Sequence, residues 1–348
     1  MRTLLVIAAA AMQVVLLACM AGEREFVSRT GQTVYLRTRP IDPQDLFRGG
    51  CVRLDYDISH VEHGLLRDGL SDISDKKPIQ RSHPVFAVLN VADNNLAEMF
   101  YLTDKKPKDG IFLRGWLDRR YNWANIVNAR YGIVNVRYGI EAYFVEQGSA
   151  QKLEQARRRE NIPVPLEMEM ALGRNGTAVL KGYRFSPLGL GLKPEVKRDP
   201  NEPAGRRTGR IQAVTLKLLN ASDKPLAIVD LPDGRSFSLE SSDRWFAMES
   251  WQWVNKNAPR KVVDNNDVHV LKPDETYEVR IDLTNPAWFV VKDGGGSPIP
   301  ISELDWNERF RFVYRPPSRE DCRNLDNAGI IWHGYLPSLA LYNVGGVD

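Results

Sequence analysis

The residues best suited to chemistry lie in one stretch near the start of the chain. Asp42, Asp45, Asp55 and Asp57 place four carboxylates between Ile41 and Ser59, with Cys51 among them and His60 and His63 just beyond. Paired carboxylates can serve general acid–base catalysis. Cys51 follows a Gly-Gly pair and has Arg48 and Arg53 near it in sequence, a setting that would favour a reactive thiolate. A plainer reading competes for each group. Asp42 and Asp45 flank Pro43 and can cap turns through their side chains. Asp55 and Asp57 share one face of a strand that faces solvent, and Cys51 is a buried structural thiol. His60 and His63 would need a third ligand from elsewhere to hold a metal, so they are expected to be loop residues, and no cofactor is expected. GxSxG, HExxH and P-loop patterns do not occur.

A second cluster is aromatic: Trp245, Phe246, Trp251 and Trp253. Exposed together they would make a flat platform for a glycan or peptide. Trp251 and Trp253 share a strand face, however, and the expectation is sandwich core.

These groups must be positioned by mainly β structure. Strands are expected at Gln32–Pro40 and Cys51–Ser59, the second because Val52, Leu54, Tyr56 and Ile58 alternate with polar residues. Others are expected at Pro84–Val91, Glu98–Thr103, Ile111–Leu117 and Ile133–Val145. One helix is expected at Ser149–Arg159 from its Ala, Gln, Glu, Lys and Arg content, stopped by Pro163 and Pro165. Val164–Leu172 and Thr177–Arg184 form a hairpin across Gly173–Gly176, with Asn175-Gly176 as the turn. Residues 186–209 are rich in Pro, Gly and basic residues and read as a linker. Beyond it, short strand candidates run from Ile211–Leu219 to Ser338–Val344, a spacing that suggests an antiparallel sandwich.

Composition bounds the function classes. Lys and Arg number 47 against 44 Asp and Glu, a net charge of +3, without the basic excess of a nucleic-acid binder. Cysteine occurs three times, at Cys19, Cys51 and Cys322. An oxidising compartment would permit a Cys51–Cys322 bridge, but two separately buried thiols are expected.

Leu4–Gly22 is uncharged and has one amide, Gln13; it follows Arg2 and ends at Glu23-Arg24-Glu25. Its apolar length nearly matches the ~30 Å hydrocarbon core of a bilayer. With a basic charge before it and the body after it, the body belongs on the extracytoplasmic side. Three fates compete: retention as an anchor, which is expected, lipidation at Cys19 within Leu16-Leu17-Ala18-Cys19, or cleavage after Ala21 or Gly22.

The stretch Ile41–Ser59 resembles the signature of the bacterial GDYXXLXY-domain family, "DPRDLFRGDYVxLxYxIS". Asp42, Pro43, Asp45, Leu46, Phe47, Arg48, Gly49, Leu54 and Tyr56 match; Gly50 and Cys51 stand where Asp and Tyr are usual. Val136–Val145, the following Gln/Lys/Glu-rich segment and a hairpin ending in Lys181-Gly182 are similar to the second half of that family. The resemblance covers about residues 1–185 and implies a membrane-anchored extracytoplasmic β domain. More loosely, residues 210–348 resemble Ig-like sandwiches of bacterial envelope proteins. The expected order is therefore a signal anchor or signal peptide at 1–22, a GDYXXLXY-like domain at 23–185, a linker at 186–209 and an Ig-like sandwich at 210–348. The expected role is a non-enzymatic envelope protein that binds or scaffolds a membrane or periplasmic partner. The rivals are an envelope enzyme centred on Cys51 or the Asp42/Asp45 loop, and a binding module built on Trp245–Trp253.

Overall fold

The computed structural model describes residues 2–39, 51–71, 84–117, 133–144, 158–159, 162–197, 210–241, 251–252, 262–285, 288–292, 297–303, 309–342 and 346–347. The fold is mainly β, with antiparallel sheets and one long N-terminal helix. The chain divides into two units. The first comprises 1–124, 134–150 and 166–184; the second comprises 125–133, 151–165 and 185–348.

The first unit opens with α1, Arg2–Thr30. Among the described residues this helix alone contains a segment, Val6–Thr30, long and apolar enough to cross a membrane. Residues 6–26 are exposed along their whole length. The helix does not stop where its apolar run ends. It continues through Glu23–Thr30, held by the Arg29–Glu25 pair at 2.6 Å and the Thr30 hydroxyl donating to Phe26. Gly31 is the single residue between α1 and the first strand; a Cβ there would lie 2.5 Å from the Val27 oxygen and 2.9 Å from the Leu172 nitrogen.

Among the described residues this unit holds β1 (Gln32–Arg37), β2 (Cys51–Arg53), β3 (His60–Glu62), β4 (Pro84–Val91), β5 (Ala97–Thr103), β6 (Ile111–Leu117), β7 (Ile133–Arg137), β8 (Ala142–Phe144) and, after β9 (Arg158–Arg159) and β10 (Ile162–Pro163) of the second unit, β11 (Leu166–Leu172) and β12 (Ala178–Phe185). One sheet runs β1-β11-β12, another β3-β7-β6-β4-β5, and β2 pairs with β8. In β1 and β11, Val34, Leu36, Met168 and Met170 are buried, with Leu36 opposite Met168 and Val34 opposite Met170. The opposite face carries Tyr35 and Arg37 against Glu169 and Glu167. The hairpin at Gly173–Gly176 forms as expected, with Gly176 at φ +82°.

Two expectations about this half need correction. The segment Cys51–Ser59 is not one strand: β2 ends at Arg53, Tyr56 bridges Thr38, and Asp57–Ser59 is a 3-10 turn. Burial still alternates through Leu54, Tyr56 and Ile58, because an extended chain and a single tight turn can both present every second residue inward. The helix expected at Ser149–Arg159 cannot include its last residues. Arg158–Arg159 pair with Ile162–Pro163, while 149–157 lie outside the described residues. Ile162 and Val164 are buried with Leu219, which anchors the strand that Arg158–Arg159 pair with.

The second unit contains β9, β10, β13 (Leu188–Lys197), β14 (Arg210–Asn220), β15 (Leu226–Val229), β16 (Phe237–Ser241), β17 (Trp251–Gln252), β18 (Val268–Leu271), β19 (Thr276–Asp282), β20 (Phe289–Lys292), β21 (Ile299–Pro300), β22 (Arg309–Tyr314), β23 (Leu336–Pro337), β24 (Leu341–Tyr342) and β25 (Gly346–Val347). Its sheets include β13-β14-β19, β15-β18 and β16-β22-β24-β25. They enclose a core of Leu188, Leu190, Leu216, Phe237, Phe312 and Trp332, among others.

The stretch expected to be a linker, 186–209, holds β13. Leu188, Leu190 and Leu192 do alternate, but with Gly189 and Gly191. A Cβ on Gly189 would meet the Pro163 oxygen at 3.0 Å, and one on Gly191 would meet Ile162 at 3.1 Å. Glycine lets β10 lie close against that face, and it also dilutes the strand signal.

Tyr314, fully buried, pins the edge of β15 close to the bridge between Ala227 and Ile331. Its hydroxyl accepts from the Val229 N–H at 2.8 Å and donates to the Val229 carbonyl at 3.1 Å. Burial pushes the phenol far above its ordinary pKa, so it stays neutral.

Candidate functional site

The two stretches that carry the sequence signature are bound to each other. Tyr56, with no exposed surface, donates to the Ile140 carbonyl at 2.8 Å, and Tyr138 donates to the Ile58 carbonyl at 2.8 Å. The Leu54 N–H donates to the Glu141 carbonyl at 2.8 Å. Gly139, at φ +78°, turns the loop so that its own N–H and that of Tyr138 reach the Glu141 carboxylate. Burial, reinforced by the nearby Glu141 charge, raises both tyrosine pKa values well above the ordinary range. These phenols are hydrogen-bond donors and structural pins. Leu54, also buried, completes the inner side of the motif.

The residues between these pins form ion pairs. His60 Nε2 lies 2.7 and 2.9 Å from the two Asp55 oxygens, with side chains 10% and 24% exposed. Arg39 Nε reaches Asp57 at 3.0 Å. Asp55 and Asp57 therefore do not form the solvated face expected of them. Both approach β1, because the Arg39 N–H donates to the Asp55 carbonyl and Thr38 bridges Tyr56. A carboxylate bound to an imidazole orients the ring.

Further along β1 the ion pair is fully buried. Arg37 Nη2 donates to Glu167 Oε1 at 2.9 Å, with both side chains 2% exposed. Arg184 Nε donates to Glu167 Oε2 at 2.8 Å, its guanidinium carbon 3.5 Å from the Tyr35 ring centre and its Nη2 donating to the Asn94 carbonyl. Glu167 is thus shared by two guanidinium groups. The sequence analysis missed this cluster, since only the register of β1 against β11 brings Arg37 to Glu167.

An open groove of about 620 Å³ lies where α1 meets the β structure, lined by Glu23, Phe26, Val27, Phe112, Leu172 and Asn175 among others. Asn175 donates to Glu23 at 3.1 Å, so the hairpin tip touches α1 one residue past its apolar run. Phe26 is 67% exposed.

The other expected sites separate as follows. Asp42, Pro43, Asp45, Phe47, Arg48 and Gly49 lie outside the described residues, as do the side chains of Cys51 and His63. Trp251 pairs through its backbone with Lys292; Trp245, Phe246 and Trp253 lie outside. Cys322 is free and buried, with its thiol pKa raised by burial, and Cys19 is exposed on α1. No group of three or more His, Cys, Asp or Glu side chains among the described residues could hold a metal ion.

Among the polar clusters of the second unit, one gathers Tyr277, Asp230 and His269. The Tyr277 hydroxyl donates to Asp230 Oδ2 at 3.0 Å and lies 3.1 Å from His269 Nε2, and the two rings stack at 4.3 Å. Burial raises the Asp230 pKa, partly offset by the Tyr277 hydrogen bond, and Tyr277 is pushed up to about 12. A carboxyl whose folded pKa is raised contributes most to stability below its unfolded value. That contribution is lost as pH rises through the folded value. Asp230→Asn should therefore melt higher than wild type at pH 7, with the gain shrinking towards pH 4; calorimetry at both pH values checks this, and an equal shift at both would refute it.

Residues 13–182 match the family model described as GDYXXLXY protein. No curated protein and no solved structure matches the chain.

Proposed function

We propose that the chain is a membrane-tethered envelope protein whose extracytoplasmic body binds or scaffolds another membrane or envelope protein. The carrying observation is α1, an exposed apolar helix that runs without a break into the first β unit. A helix exposed on every side over residues 6–22, and apolar there apart from Gln13, needs lipid or another apolar surface around it. Arg2 before it and the folded body after it favour an extracytoplasmic body by the positive-inside bias. The groove beside Phe26 supports a binding role near the membrane, since it is open and walled by Val27, Phe112 and Leu172.

Mass spectrometry of the mature chain tests the tether directly. Retained residues 2–22, or a diacylglyceryl group on Cys19 as the new N-terminus, support it. A free unmodified terminus near Glu23 refutes it. Protection of the body from protease in intact spheroplasts, where only the outer face of the membrane is open to the enzyme, would refute the orientation.

A further inference from the structure

Gln13 lies nine residues from Leu4 and nine from Gly22, the two ends of the uncharged run. In a membrane it would sit near the bilayer midplane, where no water satisfies an amide and each unpaired polar group is costly. Among the described residues none covers it, since residues 6–26 of α1 are exposed. We infer that α1 pairs with α1 of a second copy in the membrane through Gln13. This inference rests on the tethered reading above in its retained-helix form.

Two features of the helix favour a second copy over another occupant. A primary amide carries both donor and acceptor, so it complements itself. Two parallel copies related by a two-fold axis also place Gln13 opposite Gln13 at the same depth. The flanking residues suit close approach as well. Thr3, Val6, Ala10, Gln13, Leu17 and Met20 recur at alternating steps of three and four, the spacing of one helix seam. Ala10 is small and precedes Gln13 by one turn on that seam, letting the backbones come close enough for the amides to meet.

The full chain in membrane vesicles, in a background with Cys19→Ser, Cys51→Ser and Cys322→Ala, provides the test. Single cysteines placed from Ala9 to Met20 are oxidised and the disulfide dimer is measured. The expected pattern peaks at Ala10, Leu17 and Met20 and falls at Val14 and Val15. Gln13→Leu should weaken dimerisation, read by energy transfer between labelled copies, by about 3- to 30-fold, while Gln13→Asn retains most of it. Leucine makes the segment more apolar, so its insertion is kept. A flat cross-linking pattern, unchanged dimerisation in Gln13→Leu, or cross-linking to a different protein in place of a second copy would overturn the inference. The N-terminal mass separates the two failures. Loss of residues 2–22 removes the tether and the pairing together, whereas a retained helix with energy transfer at background level removes the pairing alone.

Discussion

Replacing Glu167 with Gln should destabilise the first unit by about 3–5 kcal/mol, the cost of stranding a buried charge. Arg37 is 2% exposed and its guanidinium donates to Glu167, which also accepts from Arg184. Glutamine keeps the volume and one acceptor oxygen but removes the charge that the two guanidinium groups share. The measurement is hydrogen exchange at the amides of β1 and β11, which follows this unit separately from the other. A loss under ~1 kcal/mol, the size of an exposed pair, would refute the assignment. The double variant Arg37→Met with Glu167→Met should recover much of the loss, since apolar replacement of a whole buried pair is often neutral.

The second large effect is expected at Tyr314→Phe, at about 2–4 kcal/mol, because two backbone groups lose their partner and each costs ~1–3 kcal/mol. The phenol both accepts from and donates to Val229, and phenylalanine fills the same space without doing either. Chemical denaturation followed by tryptophan fluorescence checks it, since Trp332 stacks on Tyr314 at 5.9 Å. Tyr56→Phe orphans only the Ile140 carbonyl, so it should cost less. Equal losses for the two variants would contradict the double role given to Tyr314.

Much of the fold could be read from local pattern. Pro84–Val91 and Ile111–Leu117 were bounded as the structure has them, because turn residues flank each apolar run. β15 was not found: Leu226–Val229 are all buried, and a run of four apolar residues carries no period. β13 was hidden by glycines whose purpose is tertiary. The signature was legible as a motif but not as a structure. Tyr56 reaches Ile140 across 84 residues and Tyr138 reaches Ile58 across 80, and spacing along the chain says nothing about such pairs. Asp55 and Asp57 were visible as carboxylates, while their partners His60 and Arg39 depended on how the chain returns past β1.

The single residue between α1 and β1 has a mechanical consequence. With only Gly31 intervening, and with Val27 and Glu23 already in contact with the Gly173–Asn175 tip, the helix and the first β unit have no swivel between them. On the tethered reading the helix acts as a keyed shaft. One residue inserted between Gly22 and Glu23 would lift this unit by about 1.5 Å and turn it by roughly 100°. Any surface it presents along the membrane would then point elsewhere, while seven inserted residues would nearly restore its bearing. The length of the apolar run therefore sets the compass direction of this unit as well as its height.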